Sequence, residues 1–306
     1  MRVPFAGTIK RLAWATGYYE RALARRSFPG VAVLCYHGVT VAAARRDRLP
    51  HAGLHVDAGE FEAHCALIAA HCQPLALREA MAIWAGEAAP LPRPVLVTFD
   101  DGYRSLLQVA LPILRRHGVP ATVFACTGPI ANGTAFWFDD LARSRGESAA
   151  EAAKALPYAE WRALVETTGG LATRHLSGDP LAPLSVAEFT ALAHDPLVSV
   201  GAHTATHPIL ARAPEAVQRD EIARSLDAIA GWTGARPTSF AYPNGRPGAD
   251  YDDRTRSALR DAAVTVAFST HEGWAHCGEP PLDRSRFVMR HGTSAAELAH
   301  RMCHSW

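Results

Sequence analysis

The chain has 306 residues, with 31 Lys and Arg against 30 Asp and Glu for a formal net charge of +1, and is 48% hydrophobic and 20% charged. Such a balance suits a globular chain, either one large α/β barrel with insertions or two smaller domains, and gives no long-range field to draw in nucleic acid. The chain holds no run of about eighteen apolar residues to span a bilayer and its N-terminus lacks the apolar core of a secretory signal, so the cytoplasm is the expected compartment.

Taken in order, residues 5–26 are helical in pattern and basic, with Lys10, Arg11, Arg21, Arg25 and Arg26 set among Ile9, Leu12, Tyr18, Tyr19 and Leu23. Two readings stand side by side: a helix lying on the inner, anionic surface of a membrane as a peripheral contact, and a terminal helix covering a barrel. Residues 1–28 are set apart on this basis, with the barrel expected over 29–306. Val31 to Tyr36 reads as the first strand and delivers His37 and Gly38 at its C-terminal end. Residues 40–57 form a polar, arginine-rich loop, and 58–85 carry helical patterning.

Val95 to Phe99 is an apolar, β-branched run of the kind found in buried parallel strands. It ends in Asp100, Asp101 and Gly102. Strand neighbours point to opposite sides, so two adjacent carboxylates at a strand end can serve two tasks: one facing a cation, the other a water or substrate. An Asp-Asp-Gly by itself is more often a solvated turn. Leu106 to His117 is expected to be helical with Pro112 inside it, and Val119 to Ala125 to be the third strand. The strand-helix-strand alternation argues for right-handed parallel α/β units.

From about 128 to 195 the alternation stops. Helical pieces at 139–145, 148–168 and 185–194, with the aromatic cluster Phe136, Trp137 and Phe138, suggest a helical insertion serving as a lid or substrate-shaping wall, or packing internally. Leu197 to Gly201 is the fourth strand and leads into His203 and His207, a four-residue spacing that one helical turn would convert into a pair of metal-facing imidazoles. Strands at 237–245, 264–269 and 286–289 and helices at 215–231, 255–263 and 294–302 complete the reading. The six cysteines show no Cys-x-x-Cys pairing, and Cys35 and Cys126 sit within apolar runs as reduced core residues.

Thr-Phe-Asp-Asp-Gly at 98–102, His-Thr-x-x-His at 203–207 and Phe-Ala-Tyr-Pro-Asn-Gly at 240–245 follow one another, each at a strand end. Together they resemble the polysaccharide deacetylases of the NodB-homology type, carbohydrate esterase family four, over about residues 31–303. The resemblance implies a distorted (β/α) barrel of about seven parallel strands and metal-dependent removal of an acetyl group from a sugar. It implies Asp101, His203 and His207 as metal ligands and Asp100 as general base. It places Tyr242 and Asn244 at the oxyanion and substrate side, with the Asn244 N–H as donor. The divalent metal it implies is Zn2+ first, with Co2+, Ni2+ and Mn2+ as alternatives.

Three departures from the family pattern follow. Position 103 is Tyr where Pro is common, and position 241 is Ala where an arginine usually orients the base, leaving Arg246, Arg286 and Arg290 as substitutes. A late Leu-x-His is absent, although His291 and His300 are present. The Tyr36-His37-Gly38 stretch resembles a subgroup in which the acid histidine comes from the first strand, so His37 is the expected general acid. An O-acetyl esterase and an inactive carbohydrate-binding protein remain as other readings. The expected compartment and the N-terminal helix together favour a nucleotide-linked, lipid-linked or other glycan precursor over finished wall polymer.

Overall fold

The structure, a computed structural model, describes residues 5–41, 49–168 and 179–304. Seven parallel strands make the principal sheet: β1 (Ala32–Tyr36), β2 (Pro94–Phe99), β3 (Ala121–Ala125), β4 (Val198–Ala202), β5 (Ser239–Ala241), β6 (Val266–Phe268) and β7 (Phe287–Val288). Their spatial order is β7-β1-β2-β3-β4-β5-β6, and a two-residue piece, Gln73–Pro74, adds to β2. The sheet curls until a single parallel bridge, Phe268 to Arg284, joins β6 to the segment that enters β7. This is the distorted (β/α) barrel expected from the motifs.

Period-two alternation sorts the strands into two cores. Val95, Val97 and Phe99 face outward and pack with Phe61, Ile68 and Leu111 of the helical shell. Leu96 faces inward and joins Val33, Phe124 and Phe268 in a smaller core within the barrel. Thr98 and Asp100 continue that inward register towards the C-terminal mouth, which is how strand geometry carries a carboxylate to the barrel opening. All six cysteines are unpaired, and Cys35 and Cys126 are buried.

Several elements differ from the sequence pattern. The N-terminal stretch is two helices, Phe5–Ala15 and Tyr18–Arg25, broken at Gly17, whose φ of 68° only glycine adopts cheaply. Both pack on the closing helix Ala295–His304: Tyr19 and Leu23 of the second are buried, the Tyr19 hydroxyl hydrogen-bonds His300 Nδ1 at 3.0 Å, and Lys10 of the first meets Glu297 at 2.6 Å. Ile9 and Leu12 remain exposed. Residues 106–117 open with a π-type turn, Leu106–Ala110, before the helix Leu111–His117, so Pro112 falls at a helix start, where its missing N–H is tolerated.

The insertion between β3 and β4 is built of the helices Thr127–Asn132, Trp137–Arg145, Glu147–Ala153, Tyr158–Thr168 and Val186–Ala193. The piece expected at 148–168 is therefore two helices. Pro157 lies in the break and stands just before the second of them. Part of the insertion, 169–178, and of the arginine-rich loop, 42–48, falls outside the described residues.

Candidate active site

A cleft of about 610 Å³ opens at the C-terminal mouth of the barrel, with Asp100, Asp101, His37, His203, His207 and Asn244 in its wall. β2 supplies the two carboxylates. Asp100 continues the inward register and meets Arg286, which is fully buried: Nη1 donates to Oδ1 at 2.8 Å and Nη2 to Oδ2 at 2.7 Å. Arg286 Nη1 also lies 3.3 Å from Thr98 Oγ1, and Nε donates to the Ser269 carbonyl at 2.8 Å, so both ends of the fork are fixed. Burial pushes the Asp100 carboxyl up, but the Arg286 and His203 charges outweigh it and hold it below the usual carboxylate range.

Asp101 turns the other way. Its φ of 73° puts a non-glycine residue in the left-handed region, one position before Gly102 at 94°. Its carbonyl accepts from the Cys126 N–H at 3.0 Å, which ties the turn to β3. Asp101 Oδ1 lies 3.5 Å from His203 Nε2 and 3.5 Å from His207 Nε2. Burial raises its pKa, yet the surrounding imidazoles depress it well below the ordinary value.

The segment after β4 is not helical. Thr204 and His207 have φ of 65° and 61°, and each left-handed non-glycine residue costs of order 1–3 kcal/mol, more reliably for the β-branched Thr. Hydrogen bonds hold this conformation: the His207 N–H donates to Thr204 Oγ1 at 3.0 Å, and the buried Glu221 accepts from the Thr206 N–H at 2.8 Å and its hydroxyl at 2.7 Å. His203 Nδ1 lies 2.7 Å from the Ala241 carbonyl, which can only accept, so the proton sits on Nδ1 and Nε2 faces Asp101. Burial opposes charge on His203, but Asp101 and Asp100 raise its pKa overall. Burial and the His203 charge lower that of His207 to about 3.

These three donors fit a divalent cation. Two ligands about 2.1 Å from one tetrahedral ion lie about 3.4 Å apart, close to the observed separations. Among the described residues, neither the buried Asp101 Oδ1 nor the buried His207 Nδ1 has a hydrogen-bond partner. One carboxylate and two imidazoles also leave coordination positions open.

His37 follows β1 and lines the cleft, with a ring nitrogen within 4.8 Å of an Asp100 carboxylate oxygen. Burial lowers its pKa, with Asp101 and Asp100 opposing, and its buried Nδ1 has no partner among the described residues. Gly38 beside it is required by close packing: a Cβ there would lie 2.5 Å from Leu181 Cδ2 and 2.6 Å from His55 Nδ1. Asn244, with φ 57°, is held by Thr270, whose hydroxyl donates to its carbonyl at 2.6 Å; its own N–H has no partner among the described residues.

The family model for polysaccharide deacetylase matches residues 88–267, more than half of the chain. The chain belongs to the polysaccharide deacetylase family. Over 72 residues it is 39% identical to YxkH of Bacillus subtilis (strain 168), assigned to the polysaccharide deacetylases, a match covering 23% of this chain and 26% of that protein. Among solved structures, the Streptococcus pyogenes deacetylase PplD in complex with acetate superimposes with a TM-score of 0.66 at 21% identity, covering 90% of this chain and 99% of that one. IcaB from Ammonifex degensii gives 0.65 at 20% identity, covering 91% and 99%. At these identities the structural likeness establishes the fold.

In this polysaccharide deacetylase family member, of the three arginines left open by the sequence, Arg286 reaches Asp100. Arg246 is spent on Asp250, at 2.8 Å, and Arg290 is an exposed residue at the cleft rim. Tyr242 does not reach the cleft. Its ring stacks on Tyr251 at 3.6 Å, its hydroxyl donates to the Leu282 carbonyl at 2.7 Å, and its N–H donates to Phe268 O, so its hydroxyl and N–H are both engaged in the core. The helical turn expected for His203–His207 is likewise replaced by the left-handed loop. His291 faces Asp57 and Glu60, and His300 is engaged by Tyr19, so neither late histidine lines the cleft.

Sequence reasoning missed His51, whose Nε2 lies 3.4 Å from the Phe138 carbonyl, and the cleft residues Glu147, Glu151 and Lys154 of the insertion. No spacing motif marks them. The aromatic cluster at 136–138 was the available signal, and Phe138 does line the cleft, 4.7 Å from the His207 ring.

Proposed function

We propose that this chain is a metal-dependent deacetylase that removes the acetyl group from an N-acetylated sugar of a polysaccharide, oligosaccharide or glycan precursor. The observation that carries the reading is the division of labour between adjacent carboxylates: Asp101 Oδ1 faces two imidazoles with no hydrogen-bond partner among the described residues, while Asp100 is gripped by Arg286.

Asp101, His203 and His207 would hold the cation, Zn2+ first by the N/N/O donor set, with Co2+, Ni2+ or Mn2+ as alternatives. When bound, it supplies Lewis acidity to the acetyl carbonyl and brings a water's pKa towards about 7. Asp100, kept ionised and fixed by Arg286, takes the proton from the attacking water. The Asn244 N–H donates to the oxyanion that forms as the carbonyl becomes tetrahedral. His37 gives a proton to the leaving nitrogen as the C–N bond breaks, releasing acetate and the free amine.

An O-acetyl esterase would use the same groups, and what separates the two is the product. Metal content and acetate release are measured together on purified protein with N-acetyl and O-acetyl sugars, free, lipid-linked and nucleotide-linked. Acetate with a stoichiometric free amine supports the reading; acetate without amine selects the esterase, and no acetate from any of them removes both. His203→Ala and His207→Ala each leave two protein ligands and should lose both bound metal and turnover.

A further inference from the structure

The insertion touches both strand-end loops that carry the candidate metal ligands. Trp137 Nε1 donates to the His207 carbonyl oxygen at 3.0 Å, within the buried part of the structure. Two residues further along the same helix, the buried Asp139 accepts from the Tyr103 hydroxyl at 3.0 Å, and Tyr103 lies two residues after Asp101. Phe138, between them, packs its ring 4.7 Å from the His207 ring at 54°. Three consecutive residues therefore meet the metal loops from one side.

His207 is the residue at which such support has consequences. With φ 61° it sits in the left-handed region, which non-glycine residues occupy uncommonly. Its N–H is held from within the loop, by Thr204 Oγ1 at 3.0 Å. Its carbonyl is held from outside, by Trp137. Remove the indole donor and a carbonyl in a buried setting is left without its side-chain partner, in a residue whose left-handed conformation needs its neighbours to sustain it. The imidazole hangs from that same Cα, so a rotation of the peptide carries Nε2 away from its position 3.5 Å from Asp101 Oδ1. Trp137 is itself fixed, 7% exposed and edge-on to Trp161 at 5.7 Å.

Resting on the metal reading given above, we infer that Trp137 is a positioning residue for the metal site: by holding the His207 carbonyl it sets the His207 imidazole for ligation, so the insertion contributes to metal affinity. The second-sphere partners of metal ligands typically change affinity by about 10–100-fold when removed, and the same range is expected here.

The test uses full-length protein stripped of metal, with Zn2+ affinity measured by competition with a chromophoric chelator. Trp137→Phe keeps an aromatic ring and deletes the N–H. Its Zn2+ dissociation constant should rise at least tenfold, with circular dichroism and melting temperature near those of the unaltered protein. Excess Zn2+ should restore kcat while KM for the acetylated sugar stays unchanged, a pattern that general loosening of the fold would not give. Should Trp137→Phe fail to fold, benzothienylalanine at position 137 replaces only the N–H by sulfur and serves for the same measurement. Wild-type affinity in a folded variant lacking the donor, with His207→Ala binding no Zn2+, overturns the role of Trp137. If His207→Ala itself binds Zn2+ as tightly as the unaltered protein, the metal assignment fails, and the inference with it.

Discussion

Replacing Arg286 by Leu should be among the most destabilising single changes in the barrel. Its guanidinium is fully buried and donates two hydrogen bonds to Asp100, which is 2% exposed. At 2.7 Å the Coulomb attraction is about 6 kcal/mol with an effective dielectric of about 20. Burying both charges offsets much of that gross figure, so the intact pair adds little net stability. Breaking it is another matter, because the Asp100 carboxylate is then buried without its hydrogen-bonded counter-charge. A loss of about 3–5 kcal/mol follows, a large share of the ~5–15 kcal/mol that holds a typical domain together. Urea unfolding at pH 7.5 measures it. Asp100→Asn in the Arg286→Leu background removes the orphaned charge and should recover most of the loss. A loss under about 1 kcal/mol in Arg286→Leu, or no recovery in the double variant, would refute the account of a mutually dependent buried pair.

The two aspartates should separate cleanly: Asp101→Asn loses metal, whereas Asp100→Asn keeps it and loses about 10²–10⁴ in kcat, so near-normal turnover by metal-loaded Asp100→Asn would place the base elsewhere. His37→Ala should keep its metal and slow N-acetyl sugars far more than an activated acetyl ester, whose leaving group needs no proton; equal slowing of both would dismiss it as the acid. Stability should also fall with pH through two buried histidines outside the donor set. His55 accepts from the Gly38 N–H at Nδ1 and lies 3.1 Å from the Pro50 carbonyl at Nε2, and His64 is bracketed by Tyr36 and Thr293, so both neutral rings are satisfied. Burial lowers their pKa values to about 3 and about 4, below the ~6.5 of an unfolded histidine. The unfolded chain therefore binds more protons between those values, and stability is full above pH 6.5 and declines below it. The decline is of order 2 kcal/mol per histidine by pH 5. Urea midpoints at pH 7.5 and 5 should show it, and His64→Gln should reduce the difference; an unchanged difference would exclude His64 as a source.

Legible in the sequence were the features that local rules enforce. β2 shows as an apolar, β-branched run, and its period-two register already separates Asp100 from Asp101. The order of the principal strands and the three motifs were likewise readable, because each rests on residues close together in the chain. The choice among Arg246, Arg286 and Arg290 was not. All three are arginines near strand ends, and only the closing of β7 against β1 brings Arg286 beneath Asp100, 186 residues away in sequence. Tyr242 followed the same logic in reverse, since its motif position suggested the cleft while stacking on Tyr251 took it into the core. The left-handed Thr204 and His207 run against local propensity, and beside the Thr204 hydroxyl within the loop, Glu221 of the following helix and Trp137 of the insertion supply hydrogen bonds there. Local chemistry marked the candidate donors; their aim was set by tertiary contacts that a one-dimensional pattern does not carry.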